Sequence, residues 1–304
     1  MARRRGFFFR VFRMLLLLAV VFAAVGLGIT WKIGAWNKVF PSTHHDTVAP
    51  RIPADLPTPA VLVFSKTNSF RHIEGIAGGG RALQSITQRN GWGMFHTENG
   101  AVFNEQDLAR FDAVVFLNAS GDMLSAHQEQ AFQNWLEAGG GWLGIHAAGD
   151  DSHAGWQWYI DNLIGADFTA HIMGPQFQRA TVVLENHQHR ALQGLPGIWD
   201  HVEEWYSWAQ SPRSRGFTIL ASIDEDSYTP VQKVLGREPS SRTRKMDFFV
   251  FDLMKSPEVI HRKAVYYCKW DTVEMSRTTV ETLFSKNKNV PRVQYLPMFL
   301  DRNI

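Results

Sequence analysis

A doubly wound α/β domain on a mostly parallel sheet, preceded by one apolar helix long enough for a bilayer, is the fold class this sequence predicts. Three observations carry that expectation. Runs that are apolar throughout their centres recur at residues 60–64, 111–118 and 142–146, and such runs mark strands buried on both faces. Segments with helical spacing of apolar residues lie between them, at 73–88 and after Ser125, which is the alternation of parallel βαβ units. Near the N-terminus, an uncharged stretch at 14–31 follows Arg3, Arg4, Arg5, Arg10 and Arg13.

That stretch is 18 residues long, the lower edge of what spans a bilayer as a helix. Positive charge on its N-terminal side favours an N-in orientation, which leaves the rest of the chain outside the cytoplasm, in a bacterial periplasm or at the cell surface. A cleaved signal peptide is the rival reading, since the charged start and Leu-rich centre fit one. The bulky Thr30-Trp31-Lys32 offers no A-x-A site, which favours an uncleaved anchor. Arg4-Arg5-Gly6-Phe7-Phe8 faintly resembles a twin-arginine export signal. Residues 1–35 are therefore the anchor or signal segment. Residues 36–59 carry Pro41, Pro50, Pro53, Pro57 and Pro59 and read as an extended tether. The α/β domain occupies 60–235, and 236–304 is a divergent C-terminal part of it.

The remaining elements follow in order. A helix at 73–88 is weakened by Gly78-Gly79-Gly80, and a second short strand covers 93–97. Ser125-Ala126-His127-Gln128 has capping-box spacing and opens a helix with Phe132, Trp135 and Leu136 on one face and Gly139 at its end. A helix at 155–164 and strands at 178–184 and 217–223 come next. Residues 246–253 and 263–267 are further strand candidates.

Composition excludes several functions. The 304 residues carry a net charge of only +2, with the excess near the N-terminus, so nothing points to nucleic acid. The single cysteine, Cys268, forbids an intrachain disulfide. Neither glycine triplet matches a dinucleotide fingerprint or phosphate loop, so no nucleotide cofactor is expected. No G-x-S-x-G occurs, and Cys268 has no elbow around it.

Ligands of open parallel sheets collect beyond the carboxyl ends of the strands. Thr67-Asn68-Ser69-Phe70-Arg71-His72 lies there after the first strand, able to hold an anion or a metal, or simply to cap a helix. Gly144-Ile145-His146-Ala147-Ala148-Gly149 follows the fourth strand with the small neighbours of a nucleophile elbow, and His146 stands at its tip. A neutral imidazole there is a metal ligand, a general base, or a polar plug at the sheet edge. His171, His189 and Glu203-Glu204, followed by Trp205-Tyr206, supply zinc-type ligands at spacings that match no short metal motif.

The sequence resembles the ThuA-like (trehalose-utilisation) family, relatives of class I glutamine amidotransferases. VLVFSKTNSFRH, FDAVVFLNASGDMLSAHQEQAFQNWLEAGGGWLGIHAAGDD, WYIDNLIGADFTAH and HRALQGLPGIWDHVEEWYSW carry the resemblance, in the family's order. It implies a flavodoxin-like, amidotransferase-like fold with His146 where an amidotransferase has its catalytic cysteine, so glutaminase chemistry is not expected. It implies that His72, His146, His171 and Glu204 share one cleft, with Asp150, Asp151, Trp158 and Tyr206 at its rim; Arg71, from the polar loop after the first strand, is a further binding candidate. Family members usually carry a Gly-Asp-His-Pro segment and a late strand ending in Gly-His. Here residues 237–275 offer neither, and Cys268-Lys269-Trp270-Asp271 stands at that strand's end.

The expected function is accordingly carbohydrate utilisation on a small-molecule sugar, with the membrane as the other partner. His146, His72 and Glu204 would act in acid–base chemistry, or with His171 bind a divalent metal, zinc first. The alternative is a non-catalytic sugar-binding or structural module in which Trp142, Trp156, Trp158, Trp205 and Trp208 stack on sugars.

Overall fold

In the computed structural model the described residues are 2–150, 153, 155–172, 175–186, 188–189, 192, 194–229, 251–252, 274–275 and 298–299. Side chains are described throughout these except at 2–6, 171 and the three short segments beyond 250. Asp151, Cys268, the strand candidate at 263–267 and most of that at 246–253 lie outside the described residues. Helix α1 (Ala2–Lys32) is followed by the short α2 (Trp36–Val39).

The centre is a four-stranded parallel sheet of β1 (Ala60–Phe64), β2 (Gly93–Thr97), β3 (Ala113–Leu117) and β4 (Gly141–Ile145). Their order is β2-β1-β3-β4, with every pairing parallel. This is the flavodoxin-type order, whose switch point falls between β1 and β3. Strands β1, β3 and β4 are buried along their whole length, which is why they read as unbroken apolar runs.

Successive residues of these strands point to opposite faces, and each face has its own core. On one side Leu62, Phe64, Val114, Phe116 and Trp142 pack with Phe103, Phe132, Leu136 and Tyr159. Phe116 is the hub of the rings there, meeting Phe64, Phe103, Phe132, Trp142 and Tyr159 at centroid distances of 5.2–6.0 Å. On the other side Val61, Val63, Val115, Leu117, Leu143 and Ile145 pack against Leu83, Ile86, Val182, Trp205 and Leu220.

Helix α3 (Ile73–Arg89) spans the segment that the glycine triplet was expected to weaken. The glycines have a packing reason. A Cβ on Gly79 would lie 2.5 Å from Leu117 Cδ1, so the bare backbone lets the helix sit close on β3. After the single turn α4 (Glu105–Leu108) comes α5 (Ala126–Glu137), which starts at the expected capping box. The Ser125 backbone N–H donates to Gln128 Oε1 at 2.9 Å, and Gly139 leaves the helix with φ of 106°. The helix expected at 155–164 is one short turn, Gln157–Tyr159, continued by a wide turn at Ile160–Ile164.

Beyond it the topology turns antiparallel. Strands β5 (Phe168–His171), β6 (Gln178–Leu184), β7 (Ile198–Glu203), β8 (Tyr206–Trp208), β9 (Thr218–Ile219) and β10 (Ala221–Asp224) follow. β10-β6-β7 form one antiparallel sheet and β5 pairs with β8. The strand expected at 217–223 is thus two strands, β9 and β10, broken at Leu220.

Residues 40–59 contain no helix or strand, but they are laid against the domain. Lys66 Nζ pairs with Asp46 at 2.5 Å, and the same Asp46 oxygen accepts from the Gly100 N–H. Gln128 Nε2 donates to the Asp46 carbonyl, and Ile52 is buried in the first core.

Candidate functional site

Two neighbouring strands end in the same unusual way. Asn118 after β3 and His146 after β4 both have φ of 52°, in the left-handed region that costs a non-glycine residue free energy. At His146 the chain leaves the sheet into a single turn, His146–Gly149. That is the sharp strand-to-turn geometry of an elbow. An elbow's tip is ordinarily exposed, but His146 is only 4% exposed, because residues from two other segments close over it.

One cover is β8. Tyr206 sets its hydroxyl 3.1 Å from His146 Nε2, with the two rings 4.9 Å apart. Glu204, in the bend between β7 and β8, places Oε2 3.5 Å from the same nitrogen. Its other oxygen, Oε1, accepts from Gln176 Nε2 at 2.6 Å. The other cover is the loop after β1, whose last residue, His72, packs its ring edge-on to His146 with centroids 4.2 Å apart. All four side chains are buried. The antiparallel pairing of β5 and β8 puts His171 directly opposite Tyr206 in register, and its side chain lies outside the described residues. The structure thus brings His72, His146, Glu204 and Tyr206 together and sets the backbone of His171 beside them.

The other expected residues stand elsewhere. Arg71 directs its guanidinium to Glu98, at 2.6 and 3.0 Å, and to Thr67 Oγ1. It lines a groove along α3 with Ile73, Arg81 and His96. Asp150 lies 3.9 Å from His153 Nε2, and that nitrogen is 3.1 Å from the Ala147 carbonyl. Trp158 packs on the first core and stacks with Trp156. Trp142 and Trp205 are fully buried core residues, so neither offers a face to a sugar. His189 sits in the turn after β6, its N–H on the Asn186 carbonyl.

Asn118 had no clear signal in the sequence. Asn118 is buried with Oδ1 meeting no donor among the described residues, and its carboxamide nitrogen is so close to Gly75 that a Cβ there would sit 3.1 Å away. The signal available was its place at the end of β3, one strand from His146. Glu203, singled out in the sequence together with Glu204, is buried beside it. Burial pushes its carboxyl above the usual glutamate range, opposed by His201 at 3.7 Å and by the Glu204 N–H donating to Oε1 at 3.0 Å. That upward push disfavours a second buried negative charge beside Glu204.

A divalent metal was expected here. Two ligands on a tetrahedral zinc with bonds of about 2.0–2.2 Å lie about 3.4 Å apart. The 3.5 Å between His146 Nε2 and Glu204 Oε2 matches that spacing. Among the described residues, however, no group of three or more His, Cys, Asp or Glu is arranged to hold a metal ion.

A parallel α/β domain of flavodoxin-type order, with histidine instead of a nucleophile at its elbow, is the class these features define. The chain belongs to the ThuA family, described as trehalose utilisation, whose model matches residues 60–266. A solved structure shares the fold. A ThuA-like protein from Bacteroides uniformis is 23% identical, covers 59% of this chain and 73% of its own, and has a TM-score of 0.51. A ThuA-like protein from Parabacteroides merdae is 14% identical, covers 68% of this chain and 77% of its own, and has a TM-score of 0.48. No curated protein matches this chain.

Proposed function

We propose that this chain is a membrane-anchored, extracytoplasmic protein whose His146–Glu204–Tyr206 cluster, with His72, performs acid–base chemistry on a small carbohydrate. The observation that carries this reading is the 3.1 Å approach of Tyr206 Oη to His146 Nε2, with Glu204 Oε2 at 3.5 Å from the same atom. An imidazole with Nε2 unprotonated accepts from the phenol. Once Nε2 carries a proton, Glu204 faces the resulting charge and stabilises it. One nitrogen therefore has a proton donor and a counter-charge, which is what shuttling a proton to or from a substrate hydroxyl requires. The carbohydrate itself rests on the family's description alone.

The same donors, His146 and Glu204 with His72 and His171, are those a divalent cation such as zinc would use, where it would polarise a hydroxyl or water. Metal content of the purified chain, with and without His146→Ala, decides this: equal content in both removes His146 as a ligand. The anchoring reading rests on residues Phe7–Lys32, a span of 26 residues apolar enough to cross a membrane and not buried against the domain. The basic N-terminal flank favours the N-in orientation.

The test is a panel of mono- and disaccharides and polyols, followed by intrinsic fluorescence for binding and by mass spectrometry for products. Turnover that disappears in His146→Ala and in Glu204→Gln is the expected result. Binding without turnover would assign the chain to the non-catalytic module instead. Turnover undiminished in both variants would refute the site.

A further inference from the structure

The chain just after α1 is fastened to the loop that carries His72. Gly34, two residues past the helix, accepts from the Arg71 N–H at 2.8 Å. Its φ is 77°, and a Cβ on it would lie 2.0 Å from the Arg71 carbonyl oxygen, so only glycine fits. Asn37 Nδ2 donates to the Thr67 carbonyl at 2.7 Å, and the Ser42 N–H to the Asn68 carbonyl at 3.2 Å. Asn68 Nδ2 in turn donates to the His44 carbonyl at 3.2 Å. The path from the helix end to the site is then Lys32, Gly34, Arg71, His72.

The same junction exposes apolar surface. Trp31, Ile33, Trp36, Val39 and Phe40 are all exposed, and the rings of Trp36 and Phe40 pack at 4.9 Å. Lys32 and Lys38 lie among them. Tryptophan with lysine at the end of an apolar helix is the composition of a membrane–water boundary, where the indole sits at headgroup level and the ammonium reaches water or lipid phosphate. This patch is continuous with α1 and needs no second partner to cover it.

We propose that the Trp31–Phe40 patch lies in the headgroup layer and holds the domain with the carboxyl edge of its parallel sheet, and therefore the His72–His146 site, against the membrane surface. The partner is the lipid surface itself. This rests on the reading of α1 as a membrane helix.

Helix α3 supplies the ruler, because it starts just after its N-cap His72 and runs back toward the opposite edge of the sheet, ending at Arg89. Between positions 74 and 89 it rises about 22 Å. In a Cys268→Ser background, full-length Glu74→Cys and Arg89→Cys, each on an exposed residue, carry a donor dye. They are reconstituted in phosphatidylcholine–phosphatidylglycerol vesicles whose headgroups carry an acceptor. Energy transfer from position 74 at least about twofold that from position 89 is expected from the rise of the helix. Adding Gly34→Ala to both should reduce the difference while the chain still floats with the vesicles. Flotation with equal or reversed transfer would overturn the proposal and leave the anchor standing. Failure to float at all would overturn both.

Discussion

His146 holds a backbone conformation that few side chains tolerate, and it does so at the point where three other polar side chains converge. Strain of this kind persists only where the surrounding structure enforces it. Asparagine tolerates φ of 52° far better than a β-branched residue does. His146→Asn should therefore keep the melting temperature near that of the parent while abolishing ligand turnover, and His146→Val should cost about 1–2 kcal/mol more than His146→Asn. Tyr206→Phe removes one hydrogen bond and should cost about 1 kcal/mol in denaturant unfolding. A different titration is expected in the cavity of about 150 Å³ bounded by Asp122, Glu129, His153 and Trp156. Burial, then the Asp122 charge, push the Glu129 carboxyl up to about 7 from 4.5, with His45 opposing. A carboxyl raised in the fold stabilises fully below its unfolded value, and that contribution is lost as pH rises through the folded one. Stability should thus fall between about pH 4.5 and about pH 7, and Glu129→Gln should flatten that slope in thermal melts across the range. Of the cluster, His146 was legible from its small neighbours and Glu204 from its ligand chemistry, while their meeting in one cleft with Tyr206 needed the family resemblance. No local spacing links β8 to β4; only the antiparallel return of the chain does.

At the level of elements, the parallel half of the fold was plain in the sequence because β1, β3 and β4 are buried on both faces and α5 begins with a capping box. In the antiparallel half, β6 was legible at 178–184 and the region of β9 and β10 at 217–223, while β5, β7 and β8 were not. Strand β7 alternates exposed and partly buried residues and carries Asp200 and His201, so it shows no apolar run, and β8 has only three residues. The segment 40–59 was legible as extended, yet its attachment through Asp46 depends on single side-chain bonds that composition does not reveal. Two substitutions probe the packing. Phe116→Ala empties the centre of the ring cluster and should cost about 3–5 kcal/mol in chemical denaturation. Gly79→Ala should destabilise the fold despite a helix-propensity gain of about 1 kcal/mol. The new methyl would press on Leu117, and overpacking costs about 1–3 kcal/mol. A stabilised Gly79→Ala variant would mean that α3 does not need its close approach to β3.

Over the whole molecule, an apolar helix, a stitched junction and a buried polar cluster follow one another along a short path through Gly34, Arg71 and His72. Fold, family and the position of the elbow histidine are consistent with one another, and in the proposed function His146, Glu204 and Tyr206 operate as one unit. Residues that act as a unit lose function non-additively. The most direct test is a double-mutant cycle on His146→Ala and Tyr206→Phe, read as the rate of sugar turnover by full-length protein in lipid nanodiscs. The double variant should be no slower than His146→Ala alone. If the two losses multiply as independent effects, the pair does not share a proton and the cluster is not the working site.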